Sequence, residues 1–445
     1  MRLILGCILF LMSHILMGQS LSNSFLYSHN YDSGVDHTNA FVDSSRIVIY
    51  LPAFQFGLQQ EGPTLSAYVQ KDESGRLVID PLQALSLAED ENRFRSAGEL
   101  TGLGVGFKLN EKMSLGLRYS ANYLTDIEYP LEALQLLTQG NTILLGNQID
   151  LSFSTVVQAY HQYQLSYNYQ SGKFTGGIGL SYLSGILDVS VSREQLLLEF
   201  APFFFSIRAN TDFQINTTNA LEYEGLDNVF FVYDESISTS FFGPNSGVGL
   251  ELFGAYELTD DTSVKAKISG IGSINWDEDP ANFVSEENGQ FSGFNILDLI
   301  TANRSVSYLD SLEALFNVIE TAEAYSTNLP LNVDIGVYHN LNDNLQLSLA
   351  GNYVDFESGS AYQLGLAATY QVINGLHVST SLNHGSDLGI TLGGGISAQL
   401  GPFSLWGYTG NIFSVHDQLT ANATNGSLGL RLNFGKLRSP TSLNH

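Results

Sequence analysis

The chain has 445 residues, of which 45 are acidic and 18 are basic, and its net charge is −27. This charge excludes a nucleic-acid-binding protein, because such proteins need basic patches that neutralise phosphate. Charged residues make up only 14% of the chain and aromatic residues 11%. A soluble protein usually has about a quarter charged residues, so the composition favours a protein with much of its surface in lipid.

The N-terminus predicts a secretory signal over residues 1–18. Arg2 precedes an apolar run from Leu3 to Met17, and Gly18-Gln19 follows as a cleavage point. The run is too short for a membrane-spanning helix. The only cysteine, Cys7, lies inside this signal, so we expect the mature chain to have no disulfide and no cysteine-based metal site.

Alternation of apolar and polar residues dominates the rest of the chain. Residues 160–183 alternate on both arms of a hairpin around Ser171-Gly172-Lys173, with Tyr163 and Leu165 on one face and Gln164 on the other. Successive side chains of a strand point to opposite faces, so each arm has one apolar face. The same pattern predicts strands at 45–57, 99–109, 113–125, 157–170, 173–187, 202–216, 246–258, 262–276, 329–341, 344–356, 361–373, 376–386, 388–400, 402–412 and 425–434, with a weaker one at 228–235.

The lengths of these strands and of their connections predict an outer-membrane barrel. A tilted strand of about 9–11 residues crosses a bilayer, and most of the predicted strands reach that length. Short turns alternate with long connections at 126–156, 188–201, 277–328 and 413–424. We therefore expect an all-β fold, a transmembrane antiparallel up-and-down β-barrel of about 14–16 strands with short helices in its loops.

The barrel is predicted over residues 45–434. It follows an N-terminal periplasmic or lumen segment at 19–44 and precedes a C-terminal tail at 435–445. Helix formers predict short helices at Pro130–Gly140 and Leu309–Tyr325, and the second has an apolar stripe. Such a helix would cap a loop, plug the lumen or dock a partner.

Several features favour lipid over a sandwich core as the neighbour of the apolar faces. The opposite faces are rich in Gly, Ser, Asn and Gln, which suit a wet lumen. Aromatic residues near strand ends resemble membrane-interface girdles; they are Tyr160, Tyr169, Phe174, Phe203, Phe204, Phe205, Phe356 and Phe403. The last strand, Ser427–Phe434, resembles the signal that barrel-assembly machinery recognises. Only a closed barrel leaves no unpaired strand edge in hydrocarbon.

Two segments contain residue types found in active or metal sites. Asn383–Asp387 places Ser, His and Asp together, although adjacent residues in a strand–turn stretch usually form a hairpin tip, and triads depend on geometry. Trp276–Pro280, with Glu286 and Glu287, is an acidic loop that is either solvated or a weak divalent-cation site bridging to lipopolysaccharide. The histidines lack zinc-motif spacing. We therefore predict no catalytic residue, metal or cofactor, and a protein that is not an enzyme.

The candidate ligand-binding residues are Arg118, Arg431 and Glu251. All lie on the polar faces of their predicted strands, so we expect them in the lumen. The arginines would meet acidic lumen residues such as Glu251 and brace the wall, or bind an anionic headgroup.

The order of parts resembles an uncharacterised family of Bacteroidota outer-membrane barrels. The resemblance is carried by Asn39-Ala40-Phe41, by YPLEALQLLTQGN (129–141), by LSFSTVVQAYHQYQLSYNYQ (151–170) and by GPFSLWGYTGNIF (401–413). More distantly the chain is similar to FadL-type transporters of hydrophobic compounds, whose Asn-Pro-Ala motif falls on Asn39-Ala40 without the proline. The resemblance implies passive transport or binding of a small hydrophobic molecule. The alternatives are a structural or secretion-accessory barrel and, third, an outer-membrane hydrolase.

Overall fold

The computed structural model describes residues 45–71, 77–79, 81–139, 145–201, 206–223, 229–231, 242–291, 315–356, 359–386, 389–416 and 420–436. The predicted signal at 1–18, the segment 19–44 and the tail beyond residue 436 lie outside the described residues. Within those ranges, no helix is both long and apolar enough to cross a membrane.

The described chain is mostly strand. Its first strands are β1 (Ser45–Tyr50), β2 (Ala53–Glu61), β3 (Val69–Lys71), β4 (Leu77–Ile79), β5 (Glu91–Lys108), β6 (Met113–Pro130), β7 (Gln148–Asp150), β8 (Ser154–Ser171), β9 (Phe174–Phe200), β10 (Ile207–Thr218), β11 (Leu221–Tyr223) and β12 (Val229–Phe231). The later strands are β13 (Ser246–Glu257), β14 (Thr262–Trp276), β15 (Pro280–Phe291), β16 (Ile319–Thr321), β17 (Tyr325–Asn328), β18 (Leu331–Asn342), β19 (Leu345–Phe356), β20 (Gly359–Ile373), β21 (Leu376–Gly385), β22 (Gly389–Leu400), β23 (Phe403–Thr409) and β24 (Ala423–Lys436). Short helices are α1 (Leu65–Tyr68), α2 (Pro81–Leu87) and α3 (Leu131–Gln139).

Fourteen antiparallel wall strands close into one barrel. β1 and β2 together form the first, since both pair with β5 on one side and with β24 on the other. The others follow in the order β5, β6, β8, β9, β13, β14, β17 with β18, β19, β20, β21, β22, β23 and β24. Because the last strand pairs with the first, the ring has no free edge, which confirms the predicted all-β barrel.

The side chains of the wall are apolar outside and polar inside. The outward leucines that are more than half exposed include Leu117, Leu165, Leu349, Leu366 and Leu382. The inward polar side chains that are buried include Ser114, Gln164, Asn168, Gln346 and Ser381. An apolar surface this extensive marks contact with a membrane or a partner rather than with water. The apolar faces of the hairpin 160–183 therefore do not pack in a protein core.

The two ends of the barrel differ. Short turns at 109–112, 172–173, 258–261, 343–344, 374–375 and 401–402 share one end with Ser45 and Lys436, which pair with each other. We call this the turn end and the opposite one the cap end. The helices lie at the cap end, because α1 and α3 each follow a wall strand that runs away from the turns and α2 packs against both.

The strand predicted at 202–216 exists but lies outside the wall. Its counterpart, β10, pairs with β15 and with Asp188–Phe200 of β9. The long connection predicted at 188–201 is therefore wrong, because β9 continues past the wall. These strands, with β7 and β16, form an external sheet at the cap end. The weak strand predicted at 228–235 corresponds to β12, which pairs with β11 in a small hairpin.

The external sheet packs one apolar face against loop segments. Its buried cluster consists of Ile149, Leu151, Leu198, Phe200, Ile207, Ala209 and Leu315, with Ala133 and Leu136 of α3 against it. The helix predicted at Pro130–Gly140 is thus confirmed as α3. The helix predicted at Leu309–Tyr325 is present at Leu315 and Phe316, but its second half is wrong, because residues from Ile319 onward form β16 and β17. Residues 309–314 lie outside the described ranges.

The eighth wall strand is broken at Leu329-Pro330, between β17 and β18. Proline has no N–H to donate across a sheet. The neighbouring β14 bends at Gly270, which has φ 76° and on which a Cβ would overlap the Pro330 carbonyl. β18 pairs with β19 as far as Leu331 and Asp355, whereas β17 pairs with β14. A notch therefore lies at the cap end, between β17 and the end of β19.

Candidate functional site

Two inward charges named from the sequence are paired within the wall. Arg118 Nη1 donates to Glu99 Oε1 at 3.1 Å, and Lys267 Nζ donates to Glu251 Oε2 at 3.3 Å. Arg118 and Glu251 are both buried inside the barrel, as expected from the sequence. The expected contact between them is not formed, because each is paired with a residue of the adjacent wall strand.

Arg431 lies on the inner face of β24, in register with Tyr50 on one side and Ser404 on the other. Asn433, two residues along the same face, donates from Nδ2 to Ser404 Oγ at 2.8 Å. Arg431 is on the fourteenth wall strand and Arg118 on the third, so the structure places the two arginines on different parts of the lumen wall. A ligand-binding role for either remains a prediction.

Side chains of opposite walls meet in the half of the barrel nearer the turn end. Ala53 and Trp406 come from one side of the wall, and Tyr338 and Ala350 from the other, and the four form one buried cluster. Trp406 lies over Gly429, where a Cβ would overlap the indole ring. Lys265 Nζ lies 5.0 Å from the centroid of the Tyr338 ring. We call the cluster Ala53, Tyr338, Ala350 and Trp406 the turn-end bridge.

A second contact crosses the lumen near the cap end. The Arg95 guanidinium carbon, on the second wall strand, lies 4.1 Å from the centroid of the Phe356 ring on the ninth. A buried apolar cluster surrounds this contact; it consists of Ala97, Leu124, Val156, Val354, Phe356 and Ala361. We call Arg95 and this cluster the cap-end bridge. The lumen is therefore crossed by side chains at two levels.

Carboxylates compensate the charge of Arg95. The side chains of Arg95 and Asp126 have no accessible surface, and Arg95 Nη2 and Nε donate to Asp126 Oδ2 at 3.1 and 3.3 Å. Arg93 Nε lies 3.3 Å from Asp126 Oδ1, and Arg93 also pairs with Glu128. A buried guanidinium needs such partners, since an uncompensated buried charge is strongly destabilising.

Hydrogen bonds also link the fourth wall strand to the eighth. Thr327 Oγ1 accepts from Gln158 Nε2 at 2.7 Å and from Trp276 Nε1 at 2.8 Å. Asp188 Oδ2 accepts from Ser190 Oγ at 3.0 Å on the same inner surface. All of these side chains are buried, so the inward side chain of Thr327 joins β17 to β8 and β14 rather than to β19.

A cavity of about 200 Å³ lies at the notch between β17 and β19. It is lined by Leu124, Val156, Asn328, Leu329, Pro330, Leu331, Asp355 and Phe356. Phe356 thus forms part of both the cavity and the cap-end bridge. An apolar cavity of about 150 Å³ is large enough to hold a benzene-sized molecule. Asp355, whose position on β19 has outward parity, is also among the lining residues, so the cavity lies close to the outer face of the wall.

The helical cap is joined to the wall by two phenols. The hydroxyl groups of Tyr68 in α1 and Tyr129 at the cap end of β6 are hydrogen-bonded to each other. Burial, with a further contribution from Tyr129, raises the pKa of Tyr68 far above its ordinary value. The Tyr68 hydroxyl therefore stays protonated in the folded protein.

The other candidates from the sequence do not come together in the part of the chain that the structure describes. Asn383 points inward and His384 outward, and His384 Nδ1 contacts the Gly389 carbonyl oxygen at 3.1 Å. Asp387 lies outside the described residues. In the acidic segment, the backbone N–H groups of Asp277 and Glu278 donate to Asn245 Oδ1. Among the described residues, no group of three His, Cys, Asp or Glu side chains is placed to hold a metal.

Alternation could have placed Arg93, Arg95 and Phe356 on the inner face, although not in contact with one another. Arg93 and Arg95 are two apart on one face of β5, and across the hairpin turn they pair with Glu128 and Asp126. Phe356 was assigned to an aromatic girdle, which is wrong, because its position in β19 has the same parity as the inward residue Gln346. Tyr160 is also inward and buried, whereas Tyr169, Phe174 and Phe403 are exposed at the turn end as expected. Phe203–Phe205 lie outside the described residues.

Comparison with known proteins identifies a family for most of the chain. Residues 40–410 match a family described as a family of unknown function, DUF5723. No curated protein matches the chain at a significant level.

Several solved barrels are similar over the whole length. A FadL homologue from Pseudomonas aeruginosa has 10% identity and a TM-score of 0.45, covering 94% of this chain and 96% of its own. The toluene transporter TbuX from Ralstonia pickettii has 9% identity and a TM-score of 0.44, covering 95% and 97%. The translocator domain of the autotransporter NalP from Neisseria meningitidis has 8% identity and a TM-score of 0.36, covering 92% and 94%. Likenesses this low carry no argument about what the chain binds.

Proposed function

We propose that this chain, which belongs to the DUF5723 family of unknown function, is an outer-membrane barrel that binds a small hydrophobic molecule and allows its passive passage. The outward apolar surface supports the membrane location, since lipid-facing strands alternate apolar outside and polar inside. The collection of short turns at the end that holds Ser45 and Lys436 supports a periplasmic turn end in a Gram-negative bacterium. Ser427–Phe434 would then be recognised by the barrel-assembly machinery, and lipid and lipopolysaccharide would surround the wall.

The cavity at the notch carries the transport proposal. Leu124, Val156, Leu329 and Phe356 are buried apolar side chains on its inner side. A preformed apolar cavity with few polar groups is the usual form of a site for a small apolar ligand. Its position at the notch supports entry of the ligand from the side of the wall rather than along the barrel axis, because bridges cross the axis at two levels.

Val156→Phe tests this proposal, because it fills the cavity. The matched control is Val189→Phe, which enlarges a valine buried equally well on β9, beneath Ala220 and away from the cavity. The barrel is purified from its native outer membrane in mild detergent, and bound small molecules are measured by mass spectrometry. We expect one enriched hydrophobic compound in the wild type and in V189F, and its loss in V156F. Equal occupancy of V156F, or an empty wild type, would overturn the transport proposal.

A second function, a structural or secretion-accessory barrel, is favoured by the two bridges, since a closed lumen suits a docking protein. The same purification distinguishes the two proposals. A stoichiometric protein partner on a wild-type barrel without a small molecule would support the accessory function and exclude transport.

A further inference from the structure

Part of the connection between β23 and β24 lies against the outside of the wall. We call this part, residues 411–416, the outer loop. The Ser414 hydroxyl donates to Thr424 Oγ1 at 2.6 Å. Thr424 lies on the same outward face of β24 as Leu428. The Ile412 N–H donates to the Leu392 carbonyl at 2.8 Å, and the Ile412 side chain packs on the outward face of Gly394. The loop therefore has the same surroundings as the outward side chains of β22 and β24.

Polar groups of Asn411, Phe413 and Ser414 in the outer loop are turned toward the wall and bonded. The N–H of Asn411 donates to Thr409 Oγ1, and the N–H of Phe413 donates to Asn411 Oδ1. Asn411 Nδ2 donates to the Ala423 carbonyl at 3.0 Å, and Ser414 is buried. Satisfying backbone groups internally is what hydrocarbon surroundings demand, and a loop in water has no such need.

The apolar side chains of the outer loop are displayed outward. Phe413 is 74% exposed and Val415 is 60% exposed. They continue the apolar surface of the wall, where Ile390, Ile396 and Leu428 are each at least half exposed. The sequence from residue 388 to residue 416 contains no Asp, Glu, Lys or Arg.

We propose that the outer loop lies at the membrane interface of the cap end, with Phe413 and Val415 inserted among lipid acyl chains as a fixed anchor. The inference rests on the proposed membrane location of the barrel. Lipid is the occupant that fits, because the loop is continuous with the apolar wall, has no Asp, Glu, Lys or Arg, and bonds the polar side chains of Asn411 and Ser414 to the wall. An exposed phenylalanine at a membrane interface is also typical of barrel girdles.

Tryptophan fluorescence can locate the loop. The native Trp276 and Trp406 are 0% and 5% exposed, so neither is in contact with lipid and the background quenching by lipid is low. Phe413→Trp places a reporter in the loop. Leu366→Trp is the matched reporter in the apolar wall, and Arg208→Trp is the reporter on the exposed surface of the external sheet. Each variant is reconstituted in vesicles of phosphatidylcholine with and without brominated acyl chains.

We expect bromine to quench F413W and L366W by more than half relative to unbrominated vesicles, and R208W hardly at all. Quenching of L366W without quenching of F413W would overturn the anchor while leaving the membrane barrel intact. Absence of quenching in both variants would overturn the membrane location itself. A red-shifted emission maximum of F413W, like that of tryptophan in water, would also overturn the anchor and would leave the loop as a solvent-exposed surface open to a protein partner.

Discussion

Arg95 and Phe356 meet across the lumen, with the guanidinium carbon 4.1 Å from the ring centroid. A cation–π contact stabilises by about 0.5–2 kcal/mol, with the larger values where the groups are desolvated. Here it joins the second and ninth wall strands of a ring of fourteen, so the contact pulls opposite walls together. Because Phe356 also lines the cavity, ligand binding and closure of the lumen share one side chain.

Phe356→Ala should enlarge the cavity and weaken the cap-end bridge. We expect stability to fall by about 3–5 kcal/mol, as for other buried Phe→Ala changes. We also expect tighter binding of a fluorescent naphthalene-sized probe, measured by titration of the reconstituted barrel. Phe213→Ala, a buried phenylalanine of the external sheet, is the control. Equal gains in probe binding by F356A and F213A would show that the gain comes from general destabilisation of the protein and not from enlargement of the cavity.

Because the two bridges cross the lumen at different levels, removing both should raise the conductance by more than the sum of the two single effects. Trp406→Ala removes the largest side chain of the turn-end bridge, but the cap-end bridge would still cross the lumen. We therefore expect little conductance in planar bilayers for F356A or W406A alone and a clear increase for the double variant. A single variant that conducts as well as the double variant would contradict the serial arrangement.

Variants of the ion pair between Arg118 and Glu99 can separate the effect of Arg118 on the stability of the wall from its effect on ligand binding. Arg118→Leu leaves a mostly buried carboxylate without this arginine, so stability should fall by about 3 kcal/mol. Adding Glu99→Gln removes the carboxylate charge and should restore most of the loss, as measured by thermal unfolding in detergent. The predicted lumen role can then be tested in R118L/E99Q and in R118L/R431L. Normal assembly with unchanged ligand occupancy in both would exclude that role.

Tyr68 should ionise only at very high pH. Its folded-state pKa is raised by burial, so the folded protein favours the neutral phenol. Stability from this group is complete below the ordinary tyrosine pKa of about 10 and is lost as the pH rises above it. The difference in tyrosinate absorbance between wild type and Tyr68→Phe should therefore stay near zero up to pH 11. A difference curve centred near pH 10 would show that the hydroxyl is open to solvent.

Local alternation was enough to predict most of the wall. Each hairpin, such as residues 160–183, contains its own turn and its own apolar face, so pairing with the next strand follows from sequence order. The parity of Arg118, Glu251 and Arg431 likewise gave their inward direction correctly. Phe356 and Tyr160 were misplaced because aromatic content near a strand end was given more weight than parity.

The pairing of strands and side chains that are far apart in the sequence could not be predicted in the same way. Apolar and polar residues alternate in β10 as they do in a wall strand. β10 nevertheless pairs with β15, which lies more than sixty residues later in the chain, and so belongs to the external sheet. The salt bridges of Arg118 and Glu251 depend on the stagger between adjacent strands, and the meeting of Arg95 with Phe356 depends on the cross-section of the closed ring. None of these quantities is encoded in a short stretch of sequence.

The two bridges also bear on the cell that makes this protein. An outer membrane excludes bulky polar antibiotics only while each of its barrels is impermeable to them. A lumen crossed at both levels should let the barrel accumulate to high copy number without making the cell sensitive to such drugs.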